Sequence, residues 1–201
     1  MTAVAAVGTV PVPGIAPKGR AASWWGMLLV IATEGTIFLV LLASWFFLRA
    51  AAKQWPPPGT ELPDLTWTIP FSLVLWGSSV PVVVAEHAVR ARRLGLFKAM
   101  MALAWLMGVA FLGYTVRDFR DLHYGWRDSA YGSAFYVIVG LHAVHVVVGL
   151  AMSAVVQAKA WLGRYDRGPH GSAEAVALYW HFVDAVWLFV MPSVFLATHV
   201  R

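Results

Sequence analysis

Five apolar runs divide this chain, at 24–48, 69–89, 97–116, 130–158 and 175–197. Each can cross a hydrocarbon core of ~30 Å, which takes about 20 helical residues. Inside lipid every backbone N–H and C=O must be satisfied within the segment, so runs of this length can only be helices. The pattern predicts an all-α integral membrane protein, a bundle of five transmembrane helices. The spans are expected near 22–50, 69–93, 96–118, 130–160 and 173–199 of a single domain, 22–201. Residues 1–21, Pro- and Gly-rich and uncharged before Lys18, read as a flexible, uncleaved tail. With 60% apolar and 12% charged residues, against about 25% charged in soluble domains, a water-soluble fold is excluded. The absence of cysteine removes disulfides, a thiol nucleophile and zinc–thiolate chemistry. The net charge of +5 is scattered between the apolar runs and not gathered on a face, so nucleic acid is not an expected partner.

Orientation follows from the basic residues of alternate gaps. Nine lie on the side of the N-terminus (Lys18, Arg20, Arg90, Arg92, Arg93, Lys98, Lys159, Arg164, Arg167) and six on the other. The count predicts a cytoplasmic N-terminus and an outside C-terminus in a bacterial plasma membrane. Pro81 and Pro192 fall within spans and read as packing kinks. Pro81 deprives the Gly77 carbonyl of its helical donor, with Ser78 and Ser79 placed to soften the break.

The polar residues inside the spans carry more information. Glu34 lies roughly 15 Å along the first span, at ~1.5 Å per residue. His142 and His145 sit midway along the fourth. His181 and Asp184 lie in the inner half of the fifth. Members of each pair are three apart and share a helix face. An ionisable group at mid-bilayer costs on the order of 3 kcal/mol, and three helices accepting that cost at one level predicts a single shared polar cluster. Spacing alone leaves three readings open: interhelical hydrogen bonds, a metal site, or a proton-handling site. Glu86, His87 and Glu174 form a second layer at the inner boundary, where interfacial anchoring is the plain expectation. Trp24, Trp55, Trp67, Trp126 and Trp161 read as an aromatic belt, while Trp180 and Trp187, seven apart, should pack against a neighbour.

These residues lie in segments that resemble subunit III of the haem–copper oxidases. YWHFVDAVWLFV (179–190) is similar to that family's last helix. AYGSAFYVIVGLHAVHVVVGL (130–150) resembles its helix with a mid-span His-x-x-His, and GMLLVIATEGTIFLVLLASWFF (26–47) its helix with a buried Glu. WPPPG (55–59) and the approach from Glu174 to Tyr179 match as well, so the likeness covers about 22–199. Glu86, preceding His87, departs from a pattern that often has a second His there. The resemblance implies a five-helix bacterial member without haem, copper or other metal of its own. It would be associated with oxidase subunits I and II, which hold the haem and copper, and would bind membrane phospholipid. It would stabilise subunit I and support cytoplasmic proton uptake, as part of a proton-translocating oxidoreductase. Glu34 tilts the choice to the cytochrome c branch over a ubiquinol oxidase. A stand-alone membrane metalloenzyme built on the His/Glu/Asp cluster is the rival from another class. By depth, Trp24, His87 and Arg92 are the expected lipid contacts.

Overall fold

The structure, a computed structural model, describes residues 22–165 and 170–199; the expected tail, 1–21, lies outside them. Helices α1 (Ala22–Ala51), α4 (Leu94–Asp121) and α5 (Ala130–Trp161) each cross in one piece. A second crossing is made of α2 (Leu65–Gly77) and α3 (Ser79–Arg90). The last consists of α6 (Gly171–Met191), a π-helical turn at Pro192–Leu196 and the short α7 (Ala197–His199). All five crossings are long and apolar enough for a membrane, and no strand occurs among the described residues. The chain is a multi-pass, all-α membrane protein.

The interruptions have chemical causes. Pro81 offers no N–H to the Gly77 carbonyl, and α2 ends there. The Ser78 N–H forks to Val74 O (3.1 Å) and Leu75 O (3.0 Å), and Val82 N–H picks up the Ser78 carbonyl at 3.3 Å. At Pro192 the ladder widens, and Ala197 N–H reaches back five residues to the Pro192 carbonyl. The largest shift from the expected bounds is at the start of the second span. The second crossing begins at Leu65, because the Asp64 carboxylate accepts the Thr66 N–H at 2.8 Å and caps α2. Pro70 therefore lies inside a helix as well, the third intramembrane proline.

Helix α6 is the centre of the bundle and packs against α1, α2, α3 and α5, while α4 closes the side formed by α2, α3 and α5. Two glycines make room for its tryptophan. A Cβ on Gly108 would lie 2.6 Å from the Trp180 ring, and one on Gly149 3.1 Å from it. Towards the α1 C-terminal end, Trp45 and Tyr131 are fully buried. Trp55 folds back from the proline-rich loop, with ring centroids 5.1 Å from Trp45 and 5.2 Å from Tyr131. Trp55, partly buried in the loop after α1, thus packs against the core from its place near the span end.

Candidate functional site

The five deep polar residues do not meet in one cluster. The structure separates them into three settings, because α6 fills the middle of the bundle and turns its polar side chains to different neighbours.

Between α1 and α5, Glu34 Oε2 lies 3.1 Å from His145 Nε2. The other ring nitrogen, Nδ1, donates to the Leu141 carbonyl at 2.8 Å. A carbonyl can only accept, so Nδ1 carries a proton. The contact with Glu34 then needs one more proton, held either by the carboxyl or by Nε2. The two side chains thus share one proton in the bond that joins α1 to α5. Tyr179 stacks near the imidazole and donates its hydroxyl to the His145 carbonyl at 3.3 Å, and Phe38 meets the ring edge-on at 5.0 Å. His145 is buried, whereas about a third of the Glu34 side chain remains exposed at the bundle surface.

On the opposite side of α6, Ser79 bridges the other pair. Its hydroxyl accepts from His181 Nδ1 at 3.0 Å and donates to Asp184 Oδ2. Asp184 is only 6% exposed, and its Oδ1 has no hydrogen-bond partner among the described residues. His142 joins neither group. It is 1% exposed, gives Nε2–H to the Val183 carbonyl at 3.3 Å, and lies 4.6 Å from Trp187 and 5.9 Å from Phe111 between ring centroids. Among the described residues no three His, Asp or Glu side chains converge as a metal ion would require.

The serines of the broken span were missed as site residues. Trp187 Nε1–H donates to Ser72 Oγ at 2.9 Å and Trp180 Nε1–H to Ser78 Oγ at 2.8 Å, so with Ser79 three serines face four polar side chains of α6. The signal was present in GSS beside a proline, read only as a softened kink. At the C-terminal end of α3, Arg90 was likewise passed over. Its Nη2 lies 2.5 Å from Glu86 Oε1 and its Nε 3.1 Å from Glu174 Oε1, tying α3 to α6. The i,i+4 spacing of Glu86 and Arg90 could have shown half of this. His87 stands apart, giving Nδ1–H to the Val83 carbonyl at 2.8 Å. Of the expected lipid contacts, Trp24 packs edge-to-face on Trp25 at 5.0 Å, while Arg92, with φ of 59°, reaches the Tyr165 carbonyl at 3.5 Å. Trp24, His87 and Arg92 lie on α1, on α3 and in the turn that follows α3.

The family model for cytochrome c oxidase subunit III matches residues 18–198. The chain belongs to that family. Among its relatives is the cytochrome c oxidase subunit 3 of Thermostichus vulcanus, 30% identical over 174 residues that make up 86% of each chain. The subunit 3 of Synechocystis is 32% identical over 175 residues, 86% of this chain and 74% of the relative. That of Arabidopsis thaliana is 32% identical over 178 residues, 85% and 67% respectively. As subunit III of a haem–copper oxidase, the protein is one component of a membrane-bound respiratory complex.

Proposed function

We propose that this subunit III is a non-catalytic brace of a proton-pumping cytochrome c oxidase, holding subunit I in shape and supporting proton uptake from the cytoplasm. It associates with subunits I and II, which carry the haem and copper, in a bacterial plasma membrane with its N-terminus inside. The observation that carries the reading is how the polar side chains are used. Trp180, His181, Asp184 and Trp187 of α6 all bond to serines of the broken span, and Glu34 bonds to α5. Such contacts fasten helices, each worth about 0.6 kcal/mol inside a membrane. Glu86, Arg90 and Glu174 add charge where a proton would enter the inner face.

Oxygen uptake over many turnovers at two pH values, with and without the subunit, tests this. Initial rates and haem spectra should survive its removal, while activity decays during turnover, faster at high pH where protons are scarce. Immediate loss of all activity with haem retained points instead to a direct catalytic role. An unchanged lifetime at both pH values leaves only inert scaffolding.

A further inference from the structure

At the end of the bundle opposite Arg90, a cavity of about 430 Å³ opens between the start of α2 and the last turns of α4. One wall is aromatic. Phe71 and Tyr114 stack across the two helices at 4.7 Å, nearly parallel, and the Trp67 ring, more than half exposed, stands 6.5 Å from Phe71. The charged lining is Asp64, Asp118 and Asp121 against one guanidinium, Arg117, whose Nε lies 3.4 Å from Asp121. Arg117 offsets one carboxylate and leaves two.

The hydrogen bonds show that Asp118 is short of a donor. Among the described residues the Tyr114 hydroxyl alone donates to it, at 3.3 Å, a long bond for two oxygens. That hydroxyl also lies 2.6 Å from Thr68 Oγ1, which lies 2.5 Å from the Asp64 carbonyl. Three contacts share two hydroxyl protons, so Asp118 competes for the single proton of Tyr114. Asp64, for its part, has Oδ1 committed to the Thr66 N–H. A partly buried carboxylate with one long, contested hydrogen bond has room for a stronger donor.

Aromatic faces beside uncompensated carboxylates attract a cation carried on carbon. A metal ion fits less well: among the described residues no three Asp, Glu or His side chains converge as one would require. An extended cation with separated charges can reach carboxylates on two helices at once. We infer that this cavity binds a small aliphatic diammonium ion, one ammonium at Asp118 beside Tyr114 and the other at Asp64 beside Trp67. Its N–H groups supply the donor that Asp118 lacks, and its methylene chain lies along the aromatic wall. The site rests on the membrane-spanning fold alone, so its failure would leave the proposed oxidase role standing.

The test is equilibrium dialysis of the assembly, purified in mild detergent, against radiolabelled diaminobutane at low ionic strength. The native protein should hold one diamine per chain. Asp118→Asn removes the charge and keeps an acceptor for Tyr114, so the fold should survive while affinity falls roughly tenfold or more, as for one charge-assisted hydrogen bond. Trp67→Ala should weaken binding about two- to fivefold, the range of an exposed cation–π contact. Glu61→Gln, whose carboxylate is bonded to His123 and does not line the cavity, should bind as the native protein does. Butylamine, with a single charge, should bind more weakly than the diamine. No bound diamine, equal losses in Glu61→Gln and Asp118→Asn, or equal binding of the two amines would each overturn the assignment. So would displacement by equimolar calcium, which marks an inorganic-ion site, or by phosphatidylethanolamine, which marks a headgroup site.

Discussion

Ser79 donates its hydroxyl proton to a carboxyl oxygen of Asp184, linking the break in one span to the middle of another. The Ser79 oxygen in turn accepts from His181 Nδ1, so a single small side chain bonds to two titratable ones. Ser79→Ala removes these bonds from both, and Asp184 is buried. The expected loss is roughly 1–3 kcal/mol, the cost of leaving buried polar groups unpaired, and larger than the ~0.6 kcal/mol average for one intramembrane hydrogen bond. Thermal unfolding of the assembly in detergent measures it. Ser44→Ala is the comparison, since that hydroxyl bonds only to the Val40 carbonyl of its own helix at 2.8 Å. Equal midpoints for the two variants would mean that the Ser79 bridge holds nothing.

Trp180 leaves no room beside it. With Nε1–H fixed on Ser78 and the ring lying against Gly108 and Gly149, the indole cannot move aside for a methyl group. Gly108→Ala should therefore cost about 1–3 kcal/mol by overpacking. Gly113→Ala, on the same helix with nothing within 4 Å of the new Cβ, should be neutral or slightly stabilising, because alanine is the better helix former. The two midpoints measured side by side check the packing, and a neutral Gly108→Ala would contradict it.

These two cases show how much of the architecture is legible in the residue order. Run length gives the number of crossings and their helical state, since lipid permits little else. Depth along a helix can be counted, which put Glu34 and His145 at one level. Direction cannot be counted in the same way. His142 and His145 share a face, yet one turns to the Val183 carbonyl and the other to Glu34, a difference set by the rotation and packing of α6. Small residues hide similarly: Gly108 and Ser79 acquire meaning only when Trp180 and Asp184 arrive from a distant part of the chain.

Asp64 provides a pH dependence outside the membrane. The Thr66 N–H bonded to its carboxylate, at 2.8 Å, holds its pKa below the ordinary 3.8. A carboxyl depressed by folding stabilises above its unfolded value, and that contribution disappears as pH falls through the lower folded value. The start of α2 should thus be unaffected between pH 5 and 8 and should fray only in acid well below pH 4. Asp64→Ala should remove about 1 kcal/mol of capping at neutral pH, while Asp64→Asn should retain most of it and lose the acid dependence. Hydrogen exchange at the Thr66 and Trp67 amides reports both. Fraying that begins near neutral pH in the native protein would contradict the cap.

Glu34 and His145 allow the proton to be separated from the bond. The carboxyl and the imidazole share one proton across 3.1 Å, with the other ring nitrogen already committed to Leu141. In Glu34→Gln the amide can donate to Nε2, so α1 and α5 stay joined while the exchangeable proton of the pair is lost. Glu34→Ala removes both and leaves a buried nitrogen unpaired, at about 1–3 kcal/mol. If the pair serves proton supply, Glu34→Gln should melt close to the native assembly yet inactivate sooner during sustained turnover, most clearly at high pH. If it only fastens helices, Glu34→Gln should match the native protein in both measurements, and Glu34→Ala alone should suffer. Oxygen uptake to exhaustion, run beside thermal unfolding, distinguishes the two. A Gln variant with native stability and a native turnover lifetime would remove Glu34 from the proton-uptake role and leave it as a joint between α1 and α5.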